Sequence, residues 1–300
     1  MRMIDQADDL RKLMPIDVPL TDETPSELTA IQRARVFSIT SGKGGVGKTN
    51  IAVNLAYALK QFGKRVLIID ADLGLANVNI LLGTASAWTL QHVVRQEKSI
   101  DEVVLTSPDG LQILPASSGV EEMTHLTVTQ KLYLKSQFDL LDQQFDFILI
   151  DTAAGISSNV MSFNQMAQEV IVILSPDPTS LADAYAIIKV LATKYGVTEF
   201  HVLVNQTHNA SHGKSLFQKL EKICQRFLKI PVRHLGTLST DLNLIQASRN
   251  QQIVLKHYPK AKISQEIQKV AESIGGIPYD PWSNKSINFL LNNVLNLGQE

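Results

Sequence analysis

Cysteine, surplus charge and long apolar runs are all scarce in this 300-residue chain. Cys224 is the only cysteine, so no disulfide can form within the chain and a cysteine zinc site is excluded. It falls on an apolar helical face and is expected in the core. Lys and Arg number 28 against 29 Asp and Glu, a formal net charge of −1. That balance exerts no global pull toward nucleic acid, although a local basic face stays open. No apolar stretch approaches the roughly 20 residues of a membrane-spanning helix, and the N-terminus lacks the charged-then-apolar pattern of a signal peptide. A soluble, cytoplasmic protein is therefore expected. With 44% hydrophobic and 19% charged residues, the chain can bury the core of one large α/β domain.

The strongest positive signal lies between residues 42 and 49, which read GKGGVGKT. An apolar run suited to a strand, Arg35 to Thr40, precedes it, and a run suited to a helix, Ile51 to Leu59, follows. Glycines at 42, 44, 45 and 47 let consecutive backbone N–H groups turn inward at a helix N-terminus, which makes a positive concavity for phosphate. Lys48 is placed to reach the β- and γ-phosphates, and the Thr49 hydroxyl to take a magnesium position. A nucleoside triphosphate with Mg²⁺ is implied.

Further strand-like runs occur at Arg65 to Asp70, Leu111 to Leu114, Phe145 to Asp151, Val170 to Leu174, Phe200 to Asn205 and Val232 to Leu235. Helix-period runs alternate with them, so the expected fold is α/β, a mostly parallel twisted sheet covered by helices on both faces. Ligands in such sheets lie at the carboxyl ends of strands, where Asp70, Asp72 and Asp151 fall. Two carboxylates beside a phosphate loop suit magnesium and water, although Asp70 and Asp72 could equally cap the helix that follows. After Asp151 the segment TAAG reads as a small-residue loop.

Lys43, the extra lysine in the phosphate loop, makes the GKGGxGK[ST] pattern resemble the deviant loop of the MinD/ParA ATPases, a P-loop NTPase family. That resemblance implies an ATP-sandwiched homodimer in which Lys43 reaches the partner's phosphates, much as an arginine finger does. It implies catalytic roles for Lys43, Lys48 and Asp72, with Asp72 orienting or deprotonating the attacking water. Metal roles fall to Thr49, Asp70 and Asp151, the two aspartates acting through water. ATP or ADP contacts are implied for Gly42, Lys43, Gly44, Gly45, Val46, Gly47, Lys48, Thr49 and Asn50, and for the switch residue Asn77. Gly155 would present its N–H to the γ-phosphate. Asn205 would meet adenine as donor and acceptor. Ser239 stands in a GTLSTD loop, residues 236 to 241, where relatives carry proline, and Ala153 likewise replaces a usual proline. Iron–sulfur relatives need at least two cysteines per subunit, so that chemistry is excluded here.

The ends of the chain narrow the resemblance. Residues 1 to 14 place Ile4, Ala7, Leu10 and Leu13 or Met14 at helical spacing, followed by a proline-punctuated acidic linker over 15–34. Asp5, Gln6, Ala7, Leu10 and Arg11 match the DQAxxLR element heading the FlhG (FleN) branch, and SPDPTSLADAYAIIK also resembles that branch. This implies a regulator of flagellar number and placement that stimulates an FlhF-type signal-recognition GTPase, with FleQ-type transcription activators and flagellar switch-complex proteins as further partners. An ATPase domain is expected over 35–280 and an amphipathic tail over 281–300. Within the tail, residues 283–297 suit either reversible contact at the inner face of the plasma membrane or cell pole, or packing on the core, Lys285 being the only cation. The alternative function is a MinD- or ParA-type ATPase for division-site, chromosome or cargo positioning. Lys219, Lys222 and Arg226 on one helix face keep DNA partitioning as a minor reading, and a ligase sharing the loop would need a small-molecule pocket that no motif marks.

Overall fold

Short β-branched strands alternate with helices along the chain, and the structure follows that alternation. The computed structural model describes residues 33–72, 77–116 and 126–276. Its strands are β1 Arg35–Ser41, β2 Val66–Ala71, β3 Leu105–Thr106, β4 Gln112–Pro115, β5 Phe147–Ala154, β6 Glu169–Leu174, β7 Phe200–Thr207 and β8 Val232–Ser239. The helices are α1 Lys48–Gln61, α2 Asn77–Leu81, α3 Leu90–Val94, α4 Ile100–Val103, α5 Val128–Gln144, α6 Ser158–Gln165, α7 Ser180–Tyr195, α8 Ala210–Phe227, α9 Leu242–Arg249, α10 Val254–His257 and α11 Lys262–Gly276.

The strands form one sheet in the order β3-β4-β2-β5-β1-β6-β7-β8, parallel throughout except for the antiparallel β3–β4 pair. Period-2 alternation sorts each strand's side chains to two faces. Phe37, Ile39, Ile68, Leu149 and Ile171 pack with α1, α10 and α11 on one side. On the other, Val36, Leu67, Ile69 and Ile150 pack with α3 to α6, while Val170, Val172, Val202 and Val204 pack with α7 and α8. The central strands are therefore buried on both faces, as parallel crossovers require. Cys224 is buried in the α7–α8 cluster.

Two departures from the sequence reading have physical reasons. The strand β3 is only two residues long and turns through Ser107 to Gly110, where Gly110 adopts φ 70° and donates its N–H to the Ser107 carbonyl. Two residues carry no periodic signal. The carboxyl ends of β5, β7 and β8 also run past the apolar stretches, to Ala154, Thr207 and Ser239, because backbone pairing continues where the side chains turn small and polar. The expected loops after Asp151 and Gly236 accordingly start later, and Asn205 lies inside β7, not at its end.

At the amino end of the sheet a buried ionic group ties β1, β6, β7 and α11 together. Arg35 donates from Nε to Glu169 Oε1 (2.7 Å) and from Nη1 to the Ile274 carbonyl (2.9 Å), and His201 Nε2 meets Glu169 Oε2 at 2.6 Å. Burial alone would raise the Glu169 carboxyl, but the His201 hydrogen bond and the Arg35 guanidinium outweigh it and hold it below its ordinary range. Removing the carboxylate in Glu169→Ala strands a buried guanidinium, so urea unfolding should show a loss of about 3–5 kcal/mol at pH 7. Because the folded carboxyl is depressed, its contribution is complete above the ordinary glutamate value of 4.5 and is lost as pH falls through the depressed value. The gap between wild type and variant should therefore shrink on acidification below pH 4.5.

Candidate functional site

The carboxyl end of β1, flanked by β5 and β6, runs directly into the glycine-rich loop. Gly45 and Gly47 adopt φ 76° and 91°, which L side chains rarely tolerate, and Gly47 is the N-cap of α1. Gly42 has no room for a side chain, since an added Cβ would lie 2.3 Å from the Asp183 Cβ in the first turn of α7. At Gly47 the same atom would lie 2.7 Å from Asn205 Nδ2. The loop is thus wedged between α7 and the carboxyl-terminal part of β7, at the head of α1.

The two loop lysines differ sharply. Lys48 is buried and donates to Ser41 Oγ (2.9 Å), which in turn donates to the Lys43 carbonyl (2.6 Å). Burial lowers the Lys48 ammonium below its usual range, against the upward pull of Asp151 and Asp72. Lys43 is half-exposed and pairs through Nζ with Asp177 Oδ2 of the same chain at 2.7 Å. The reach of Lys43 to a partner's phosphates is therefore not the contact it makes here.

Asp151 and Asp70 sit side by side on β5 and β2. Asp151 is fully buried, and neither carboxylate oxygen has a hydrogen-bond partner. The Thr49 hydroxyl favours its charged form, although its geometry falls short of a hydrogen bond. Burial, with help from Asp70 and Asp72, pushes the Asp151 carboxyl up to about 7. Asp70 is also buried, and burial raises it to about 6 despite backbone N–H donation from Asp72 to Oδ1 and from Val78 to Oδ2, both at 3.3 Å. Asp70 therefore clasps the backbone on both sides of the stretch between them. An orphaned buried carboxylate beside a threonine hydroxyl and a lysine fits a divalent cation. Among the described residues no group of three or more His, Cys, Asp or Glu side chains could hold a metal by itself, so phosphate and water would have to complete the shell.

Two adjoining cavities surround the loop. One of about 430 Å³ is lined by Gly44, Lys48, Thr49, Asp72 and Ala154, and also by Ser248 and Gln251. The other, about 510 Å³, is lined by Asn205, Gln206, Ser239, Thr240, Leu244 and Ile245. Gly45, Gly47, Asn50 and Ser248 border both, so one elongated ligand can run from the phosphate loop to the end of β8. Val46 is buried beneath the loop.

Several expected contacts are arranged differently. The Gly155 N–H donates to the Ser41 carbonyl at 2.9 Å, so it is not directed at a phosphate. Ser239 belongs to β8, and Glu266 accepts from both its N–H (2.7 Å) and its hydroxyl (2.6 Å), which ties this wall to α11 and leaves no open loop there. Asn205 commits one Nδ2 hydrogen to the Val46 carbonyl at 2.8 Å, so this amide is already engaged with the loop. Asn77 begins α2, but its side chain lies outside the described residues, as do Asp5, Gln6, Ala7, Leu10, Arg11, most of the 15–34 linker and the 281–300 tail. Ser41, Asp177, Gln206, Gln251 and Glu266 went unrecognised in the sequence. Asp177 lay within a quoted segment, whereas the others carry no motif.

Comparison with known proteins identifies the class. The family described as AAA domain matches residues 34–199. Antiactivator FleN of Pseudomonas aeruginosa is 40% identical over 84% of this chain and 90% of its own. The flagellum site-determining protein YlxH of Helicobacter pylori is 30% identical over 79% of this chain and 80% of its own. Among solved structures, the septum site-determining protein MinD of Pyrococcus horikoshii, complexed with Mg-ADP, superposes with a TM-score of 0.66 at 25% identity, covering 81% of this chain and 97% of that one.

Raised carboxyls make a pH prediction. Between the ordinary aspartate value of 3.8 and about 7, folded Asp151 holds a proton that the unfolded chain releases. Nucleotide-free protein should therefore gain stability from Asp151 as pH falls from 8 toward 5, by at most about 1.4 kcal/mol per pH unit. Thermal unfolding of Asp151→Asn across this range should show a flatter pH dependence than wild type. An unchanged slope would mean that the carboxylate is not destabilised by its burial.

Proposed function

The chain belongs to the MinD/ParA family of P-loop ATPases, and from that premise we propose that it is an ATP-driven dimerising switch regulating flagellar number and placement. It is an ATPase. The observation that carries the reading is the unpartnered Asp151 carboxylate facing Lys48 and Thr49 at the head of α1. Support for the flagellar role comes from the relatives named FleN and YlxH and from the DQAxxLR match at Asp5 to Arg11.

Mg²⁺, present as Mg-ADP in the archaeal relative, would neutralise phosphate charge, with Thr49 as ligand and Asp151 and Asp70 supporting it through water. Lys48 leaves Ser41 for the phosphates, and the inward N–H groups of residues 44 to 49 hold them. Asp72, at the mouth of the phosphate cavity, orients the attacking water. Lys43 exchanges Asp177 for phosphates across a homodimer interface, completing the charge clamp. Hydrolysis then removes what held the two copies together.

Partners follow from the resemblance. Residues 1–14 would act as an activator element for an FlhF-type GTPase, joined by the 15–34 linker to the ATPase domain over 35–280. A FleQ-type activator and flagellar switch-complex proteins are further candidates, and residues 283–297 are proposed for reversible membrane contact at the pole. Among the described residues no helix is long and apolar enough to cross a membrane.

Electron microscopy of flagella per cell tests the whole reading, comparing wild type, a deletion, Lys48→Ala and removal of residues 1–14 in the source organism. Deletion and Lys48→Ala should both change flagellar number, and loss of residues 1–14 should separate nucleotide switching from GTPase activation. Normal flagella with misplaced septa or chromosomes would instead assign the chain to division-site or chromosome positioning.

A further inference from the structure

Gln206 has a backbone conformation that its residue type does not favour. It sits near the end of β7 at φ 58°, in the left-handed region where glycine and asparagine are at ease and a longer side chain is strained. Such strain persists where the surroundings require it and gathers at functional sites. The pairing of β7 with β8 shifts register between Val204 and Thr207, so a bulge accommodates this conformation, and the exposed side chain is not held by packing. Its Nε2 instead donates to the Gly45 carbonyl at 3.1 Å, while the preceding residue, Asn205, donates from Nδ2 to the Val46 carbonyl at 2.8 Å.

Two consecutive amides therefore hold two consecutive carbonyls of the phosphate loop. All peptide bonds described are trans, so each carbonyl points opposite to the N–H of the next residue in the same rigid plane. Fixing the Gly45 carbonyl toward β7 aims the Val46 N–H the other way, into the concavity, and fixing the Val46 carbonyl does the same for the Gly47 N–H. Gly45 and Gly47, at φ 76° and 91°, have no side chain to restrict these planes. We propose that Gln206 is a positioning residue for phosphate binding, acting with Asn205 to lock the Gly45–Val46 and Val46–Gly47 peptide planes so that their N–H groups face the nucleotide's phosphates before it arrives.

Gln206 also borders the base-side cavity, so direct contact with the base is the competing role. The two roles part on base dependence. A residue that sets the N–H concavity affects every Mg-nucleoside diphosphate alike, whereas a base contact discriminates between adenine and guanine.

The full-length protein and its Gln206→Gly, Gln206→Ala and Gln206→Glu variants are compared by calorimetric titration with MgADP and MgGDP, alongside thermal unfolding. Gln206→Gly removes the amide and relieves the strained backbone, so its melting temperature should equal or exceed that of wild type. Affinity for MgADP should nonetheless fall about five- to tenfold, as loss of one organising hydrogen bond implies. MgGDP affinity should fall by the same factor, keeping the ratio of the two constant. Gln206→Glu, which sets a carboxylate against the Gly45 carbonyl beside an anion site, should lose more than Gln206→Ala. Unchanged MgADP affinity in Gln206→Gly would overturn the proposal, and so would a changed ADP-to-GDP ratio. The inference rests on nucleotide binding, so the unaltered chain serves as the control. Its failure to bind MgADP would sink the nucleotide reading itself, whereas normal binding with indifferent variants would sink only the role of Gln206.

Discussion

A carboxylate carried to the end of a doubly buried strand must find a partner or hold a proton, and Asp151 is placed in that position. Strand β5 lies between β1 and β2 with helices on both faces, so water cannot solvate the Asp151 side chain. Asp70 and Asp72 add like charge, and Lys48 offsets only part of it. The local arrangement is short of positive charge by design of its geometry, which is why a divalent cation with anionic phosphate suits it better than either one alone. The glycine loop supplies backbone N–H groups for the phosphate, and the unsatisfied carboxylate supplies the need for a cation.

The opposite end of the same sheet shows the contrast. There Arg35, Glu169 and His201 are equally buried yet fully paired, and the Ile274 carbonyl completes the group. A satisfied buried network rigidifies the elements it joins, whereas a partly satisfied one leaves room for rearrangement. The amino ends of β1, β6 and β7 are thereby fixed to α11. Asp70 extends this logic, since its two oxygens hold the N–H groups of Asp72 and Val78. Any shift of the Asp70 carboxylate would therefore act on the backbone at Asp72 and at Val78 together.

How much of this was readable without coordinates depended on the kind of signal. The sheet and its helices were legible because β-branched runs and 3.6-residue periods are local. The phosphate loop was legible because four glycines and GKT leave few other uses for that stretch. The two-residue β3 was not, and the extensions of β5, β7 and β8 were hidden by small polar residues whose backbones pair all the same. Residues that organise the loop from outside were the least visible. Ser41, Gln206 and Glu266 act through one or two hydrogen bonds each, to backbone or to groups that no motif pairs with them, and an isolated Ser, Gln or Glu predicts no such partner. The left-handed backbone at Gln206 is likewise a tertiary fact, since nothing in the triplet NQT demands it.

The resting contacts around Ser41 explain how a chain this tightly packed can still switch. Its hydroxyl takes the Lys48 ammonium and donates to the Lys43 carbonyl, while its own carbonyl accepts the Gly155 N–H. One residue therefore links Lys48, the loop and the turn after β5. An ammonium bound to a neutral hydroxyl gains by moving to a phosphate oxygen, because the acceptor then carries the opposite charge as well. Lys43 is held by an exposed pair with Asp177, a class of contact that stabilises little and is weakened by salt. On the proposed function, each contact that a triphosphate would displace is thus weaker than the one it would offer, whereas the contacts at Arg35 and Glu169 and the Asn205 bond to Val46 are buried. Switching of the proposed kind would then require no unfolding, only an exchange of partners at two lysines and one serine.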